Sequence, residues 1–516
     1  MQNNTETAEP TVGQWAQVVA QSWNKLTKEG QTPSAREVAD ELAKRLAIDG
    51  ATALGLMQGM ETLVQYAQGP WSDRDTVVEQ ERQSVKVALQ SVRPILQARV
   101  QQQLDEMDQA QPEVWCRMCR HSILSQGRRT RTWGSTVGEL TLTRRYHWCD
   151  RCEQGRAVAQ ENVGLTDSDY TPGLEELCTV MATTVPHQMA VGLIDQMLGL
   201  SLSAKALKSM TERRGQQIVQ QMDDHAQQAR QDYETWGRKP EREPTQPGGK
   251  EAQVVYLEMD GVLILTRQEI ETDAAVAPGR GGKGRHYQVK GREVKNAIFY
   301  NGAQCAQESD SRGCLLEKSY VSHLGDWQWF AVLVWVQIFK LGFDRAKLIV
   351  VLSDGAEWIR DLCQWLAIPV LLILDLYHVK HRIWEVAAVV FGDGTPEASH
   401  WAQQQCQRIE DGEAVEVIQS LAVLRKSYRK ARDHIDRLQV YLTNNLDRMD
   451  YPRYRAAGLR VGSGAIESTN YHVTGARLKL PGMRWSETGA AEMSRLRADL
   501  FNGCWQQRTR QLLKAA

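Results

Sequence analysis

This sequence has no apolar run of the roughly 20 residues that a membrane-spanning helix requires. Its first ten residues, MQNNTETAEP, have neither the basic stretch nor the apolar centre of a secretory signal. No membrane partner is therefore expected, and the expected location is the cytoplasm. An excess of charge of one sign is also missing: 62 Lys and Arg stand against 63 Asp and Glu, for a formal net charge of −1. Bulk charge gives no sign of a polyanion binder, so any such role has to rest on local basic segments. Long repeats and low-complexity tracts do not occur either. The 10 cysteines are expected to bind metal or lie buried, because structural disulfides are rare in the cytoplasm.

What is present is an ordinary globular composition, 42% apolar and 24% charged, in a chain of 516 residues. That length exceeds one core and predicts two to four domains. Residues 1–112 read as a helical N-terminal region. Ser34 and Glu37 form a capping box, and one long helix from Asp73 to Ala110 is interrupted or kinked at Pro94. Residues 113–160 change character, with cysteine pairs around alternating Thr, Arg and Tyr. Residues 161–235 return to helical periodicity, with room for a helix-turn-helix whose reading helix follows Ser203. Pro240, Pro244, Pro247, Gly248 and Gly249 make 236–252 a linker.

Beyond the linker the pattern becomes α/β. VVYLEM (254–259) and VLILTRQ (262–268) predict two paired strands, and VKNAIFY (294–300) a third. A buried Trp-rich helix is expected over 326–340. KLIVVL (347–352) and VLLIL (370–374) suit buried strands joined by a crossover helix from Ala356 to Ala367. From 379 to 454 only helical periodicity appears, and a last helix-rich part covers 455–516. The fold class is multidomain, α plus α/β.

Three acidic residues stand where chemistry would want them. Asp260 follows the first apolar strand, Asp354 follows the fourth, and Glu467 lies near a helix start after Gly462 and Gly464. Groups just beyond strand ends are held rigidly yet face a crevice. Three carboxylates can hold two divalent ions roughly 3.5–4 Å apart, one ion activating an attacking oxygen and one stabilising the leaving oxygen. An Asp-Gly pair after a strand is also an ordinary turn signal. What distinguishes these is the coincidence of two such pairs on one predicted sheet with a late Glu.

LEMDG (257–261), SDGAEWI (353–359), LDLYHVKHRI (374–383), VGSGAIEST (461–469) and GMRWSETGA (482–490) together resemble the ISKra-type insertion-sequence transposases, relatives of the ISLre-type and Mutator-like groups. The resemblance covers roughly residues 110–505. It implies a ribonuclease H-like catalytic domain, over 253–378 and 455–516, interrupted by an all-helical insertion at 379–454. It also implies a catalytic triad of Asp260, Asp354 and Glu467 holding Mg2+ or Mn2+, two per site. The activity implied is metal-dependent cleavage and strand transfer of double-stranded DNA, by a homodimer or larger assembly associated with the nucleoid. Asp375 and His378 match a D-x-x-H element of the Mutator-like enzymes. Asp375 thus competes with Asp354 for the second catalytic place, and His378 is expected to orient substrate or a neighbour. A ribonuclease H-like nuclease without transposition, and a domesticated DNA-binding protein, remain the alternative readings.

Cys116-x-x-Cys119 and Cys149-x-x-Cys152 are separated by 29 residues that alternate like a hairpin. Two such pairs complete a tetrahedral Zn2+ site, and the arrangement is that of a zinc ribbon at 113–160. Arg128, Arg129, Arg131, Arg144 and Arg145 leave open whether it contacts phosphates or only staples the fold. Candidate DNA contacts elsewhere are Arg280, Lys283 and Arg285 in the glycine-rich stretch 278–288, and Arg477, Lys479, Arg484 and Trp485 just past Glu467. The basic run 425–437 reads as a solvated helix face.

Overall fold

A computed structural model describes residues 34–69, 76–110, 113–241, 253–270, 286–309 and 312–505, together with 17, 20 and 21. The protein is a mixed α/β, multidomain chain that divides into two compact units, one ending at Arg214 and the next beginning at Gly215. Among the described residues no helix is long and apolar enough to cross a membrane.

The first unit opens with α1 (Ala35–Leu46). There Ser34 Oγ accepts from the Glu37 amide while the Glu37 carboxylate accepts from the Ser34 amide, which satisfies two of the helix's orphan donors. Helices α2 (Gly50–Gln68) and α3 (Val77–Ala110) pack backbone against backbone. A Cβ at Gly55 would lie 2.7 Å from the Pro94 carbonyl oxygen, so the close approach requires glycine. Helix α3 carries Pro94 inside a single 34-residue span.

Next come β1 (Val114–Trp115) and β2 (Ser122–Ile123), then the long hairpin of β3 (Ser125–Ser135) and β4 (Gly138–Cys149), with β5 (Gln154–Arg156) on the far side of β4. Leu104 of α3 packs with Trp133, Leu140 and Leu142 of the hairpin. Gln97 and Gln101 of the same helix accept from the β4 amides of Thr141 and Thr143, at 3.0 and 2.8 Å, on the edge of β4 that faces away from β3 and that β5 pairs only at His147–Cys149. After α4 (Val158–Asn162) follow α5 (Pro172–Thr184), α6 (His187–Leu198) and α7 (Ala204–Trp236). Leu174, Cys178, Ala190, Ile194, Leu207 and Met210 form their shared core.

The second unit is built on a five-stranded sheet of order β10-β7-β6-β11-β12. Its strands are β6 (Val254–Ile270), β7 (His286–Asn301), β10 (Ser319–Leu324), β11 (Leu348–Ser353) and β12 (Leu371–Leu374). A separate ribbon of β8 (Cys305–Ser309) and β9 (Arg312–Leu315) lies between β7 and β10 in the chain. β7 runs antiparallel to both of its neighbours, β10 and β6, whereas β11 and β12 run parallel to β6. One sheet face is covered by α8 (Trp327–Lys340), α9 (Glu357–Leu366) and the end of α7. The other is covered by α10 (Leu376–Phe391), α11 (Pro396–Glu410), α12 (Ala414–Ser427), α13 (Arg432–Asn444) and α14 (Tyr451–Ala456). The chain then enters α15 (Gly464–Thr469), a π-helical turn at Asn470–Gly475, α16 (Ala476–Leu478) and α17 (Glu487–Phe501).

One expected strand pair needs correction, and one strand was missed. The predicted pair of strands 254–259 and 262–268 is one 17-residue strand, β6. Asp260 and Gly261 make no turn, because β7 pairs with β6 along its whole length, Asp260 facing Asn296 and Gly261 facing Lys295. β10 was not anticipated. Its buried Ser319 and Ser322 break the apolar alternation, and side-chain partners satisfy them instead.

Candidate functional site

Parallel pairing sets three aspartates at one level. Leu352 of β11 lies beside Glu258 of β6, and Ser353 beside Leu374 of β12. Carried on, that register brings Asp354 level with both Asp260 and Asp375. Asp354 and Asp375 directly follow their strands. Asp260 lies inside its own strand, but at the point where the neighbouring β11 stops, so it still faces the crevice at the carboxyl end of the parallel strands.

Strand alternation puts Tyr256, Glu258 and Asp260 on one face of β6. Asp260 Oδ1 accepts from the Gly261 amide at 2.7 Å, and Oδ2 accepts from Asn470 Nδ2 at 2.6 Å. Burial pushes this carboxyl up to about 6, and the nearby charge of Asp354 adds to the shift. Asn470 is itself anchored: its Oδ1 accepts from Asn296 Nδ2 at 2.9 Å. Asn296 also donates to Thr474 and accepts from Ser322. A buried polar chain thus runs from β10 through β7 to the helical segment after Glu467, and ends on Asp260.

Asp354 Oδ1 accepts from the Ala356 amide at 3.0 Å, and its carbonyl accepts from the Tyr441 hydroxyl at 2.8 Å. The following Gly355 has φ +92°, and a Cβ there would lie 2.8 Å from Leu374. Only glycine lets the chain leave β11 in this direction. His378, on the first turn of α10, is half-buried with its ring 6.4 Å from that of Tyr441. Burial lowers its pKa, partly offset by the charges of Asp354 and Asp375.

Glu467 is exposed in the first turn of α15. Ser463 stands at the N-cap of that helix but makes no capping bond, because its hydroxyl donates to buried Asp375. The cap comes from Glu258: its Oε2 accepts from the Ile466 amide at 2.8 Å, and its Oε1 accepts from Tyr300 at 2.5 Å. Glu258 is only 1% exposed, and burial pushes its carboxyl up to about 7. Asn470, bonded to Asp260, lies three residues beyond Glu467 and so on the same helix side. Glu258, Asn296 and Asn470 were missed in the sequence. Glu258 left one trace, an acidic residue inside an apolar run at strand spacing from Asp260.

A family model described as uncharacterised protein family UPF0236 matches residues 237–514, more than half of the chain. This protein belongs to UPF0236. No match was found among curated proteins. The matched stretch contains Asp260, Asp354, Asp375, Glu467 and the polar network that joins them.

Outside that stretch, this UPF0236 protein carries a second constellation. The sulfurs of Cys116, Cys119, Cys149 and Cys152 all lie within 4.8 Å of one another. They are the one set of three or more Cys, His, Asp or Glu donors so close among the described residues, and they can hold a metal ion such as zinc. Both C-x-x-C turns end alike, with Arg120 and Glu153 in the left-handed region at φ 58° and 51°. The amides of Cys119 and Met118 pull the Cys116 thiol down to about 6. The Cys119 thiol, burial and the remaining thiols push Cys152 up to about 12. A cation bound among the four sulfurs would favour their thiolate forms.

The predicted DNA contacts divide three ways. Arg280, Lys283 and Arg285 lie outside the described residues. Lys479 and Arg484 are exposed. Arg477 is fully buried with its guanidinium 4.8 Å from the Trp485 ring, so that prediction is corrected to a packing role. Trp485 is half-buried and hydrogen-bonds through its main chain to β6 at Leu265 and Arg267. Several hairpin arginines are engaged within their own unit: Arg128 with Asp105, Arg131 with Asp169 at 2.9 Å, and Arg144 with Gln160.

Proposed function

We propose that this UPF0236 protein is a DNA transposase that cleaves and transfers DNA strands, with Asp260, Asp354 and Glu467 as its acidic triad. The observation that carries the reading is the level placement of Asp260 and Asp354, two carboxylates near enough to feel each other's charge. The helical segment bearing Glu467 reaches Asp260 through Asn470. The strand order, three antiparallel strands followed by two parallel to the first, supports a ribonuclease H-like fold. Helices between β12 and α15 supply the all-helical insertion.

Mg2+ or Mn2+ fits this donor set. Burial and the nearby Asp354 charge both hold the Asp260 carboxyl above its ordinary range, and a divalent cation would favour its ionised form. Among the described residues no three carboxylates bring oxygens within 4.8 Å of one another. Bound there, divalent ions would activate the attacking oxygen and stabilise the leaving one. The chain's own residues hold the geometry: Asn470 orients Asp260, Gly355 turns Asp354 inward, and His378 stands beside Asp354 to orient a neighbour or the substrate. Exposed Lys479 and Arg484 are the phosphate contacts just past Glu467. The four cysteines hold structural Zn2+ in a zinc ribbon, and the working unit is a dimer or larger assembly on double-stranded DNA in the nucleoid.

The test is cleavage and joining of the protein's own flanking DNA with Mg2+ or Mn2+. Asp260→Asn, Asp354→Asn and Glu467→Gln should each lose activity on the order of a hundredfold or more. Full activity in any one removes that residue from the triad. Cut ends without joined products would instead indicate a nuclease of the same fold. Tight metal-independent binding without cutting would indicate a DNA-binding protein.

A further inference from the structure

The helix carrying Glu467 is held at its start by two buried carboxylates that lie outside the proposed triad. Ordinarily an N-cap serine accepts from the backbone of its own first turn. Here Ser463 is turned away to donate to Asp375, and the Ile466 amide, which also reaches the Ser463 carbonyl at 3.2 Å, donates more closely to Glu258, at 2.8 Å and 208 positions earlier in the chain. Glu258 is fixed from behind by the Tyr300 hydroxyl, whose ring stacks on Tyr256 at 5.1 Å between centroids. Tyr256 in turn accepts from the Arg460 amide at 3.1 Å. A six-residue helix would not hold a position by its own propensity. Its placement comes from these bonds at the front and from Asn470 at the back.

We infer that Glu258 is a positioning residue: by capping α15 from strand β6 it sets the place of the Glu467 carboxylate relative to Asp260, with Ser463 and Asp375 as the second point of the clamp. The inference rests on the proposed role of Glu467 as a metal ligand. Glu258 and Asp260 are two positions apart on one face of one strand, so the strand that supplies the first carboxylate also fixes the helix that supplies the last. Glu258 touches neither DNA nor metal in this role and acts through the Ile466 amide.

The test measures Mn2+ affinity of the full-length protein by electron paramagnetic resonance, without DNA. Glu467→Gln should weaken binding about tenfold, and Glu258→Ala by a similar factor, as supporting shells do. Added to Glu467→Gln, Glu258→Ala should cause no further loss, because its effect passes through Glu467. Glu258→Gln keeps an acceptor for the Ile466 amide and should bind close to wild type. Should Glu258→Ala fail to fold, Ser463→Ala, which removes one hydroxyl, should show the same weakening and the same non-additivity. Losses that multiply in the double variants, or wild-type affinity in both folded Glu258→Ala and Ser463→Ala, overturn the inference while Glu467 stays a ligand. Unchanged binding in Glu467→Gln overturns the ligand role itself, and the positioning role with it.

Discussion

Asp260 is the residue of the proposed triad whose carboxyl is shifted upward by burial and a neighbouring charge. Its carboxyl lies well above the ordinary value of 3.8, at about 6, first because it is buried and next because Asp354 faces it. A carboxyl raised by folding stabilises the protein while protonated, and that contribution is lost as pH rises through the folded value. Without divalent cation, wild type should therefore lose stability relative to Asp260→Asn between pH about 4 and about 6, and the difference should stay flat above. Two pH units correspond to about 3 kcal/mol. An asparagine has one acceptor oxygen for the two donors, the Gly261 amide and Asn470 Nδ2, so the measured gap should be about 1–3 kcal/mol. Chemical denaturation at pH 4, 5, 6 and 7 reads it. Saturating Mn2+ at pH 7 should reverse it, and a gap that ignores both pH and metal would mean that neither burial nor Asp354 raises the Asp260 carboxyl.

At the scale of elements, what was legible in the sequence is what local pattern determines. The runs that became β11 and β12, the crossover helix between them and the Trp-rich α8 are apolar stretches whose length and flanks leave little choice. The continuity of β6 was hidden, because Asp-Gly favours a turn locally, and only pairing with β7 overrides it. The supports of the carboxylates were hidden for the same kind of reason: Asn470 and Glu258 are tied to partners more than 200 positions away. In the cysteine hairpin, local pattern and long-range packing separate cleanly. Cys116 and Cys149 pack with Val114, Ile123 and Val158, whereas Trp133, Leu140 and Leu142 belong to a different cluster anchored by Leu104. Cys149→Ser should therefore release bound zinc, seen as metal per chain by elemental analysis, and open segments 114–123 and 150–156 to hydrogen exchange. The Trp133 core should stay protected. Exchange spreading through 125–142 would show instead that the metal holds the whole hairpin.

For the whole molecule, the boundaries of family likeness and of physical stability do not coincide. The family match begins at residue 237, yet the core beneath the second sheet is incomplete without the helix just before it. Ala226 is a buried member of that core, and Tyr233 lies edge-on to Trp335 at 5.1 Å. Arg230 sits over the Trp365 ring at 4.5 Å. Asp223 pairs with Arg495, which is only 3% exposed, at 2.9 Å, and accepts from the Trp329 indole at 3.1 Å. Removing Asp223 strips a buried guanidinium of an ion-pair partner, a change that costs about 3–5 kcal/mol. Loss of the Tyr233 contacts adds roughly 1.5–3 kcal/mol. A fragment starting at residue 201 should accordingly fold. One starting at 237 should be less stable by roughly 5 kcal/mol or more, enough to leave most small domains largely unfolded at 37 °C. Thermal melting of the two fragments, followed by circular dichroism, decides the matter. Equal melting temperatures would mean that the helix ending at Trp236 adds nothing to the sheet it covers.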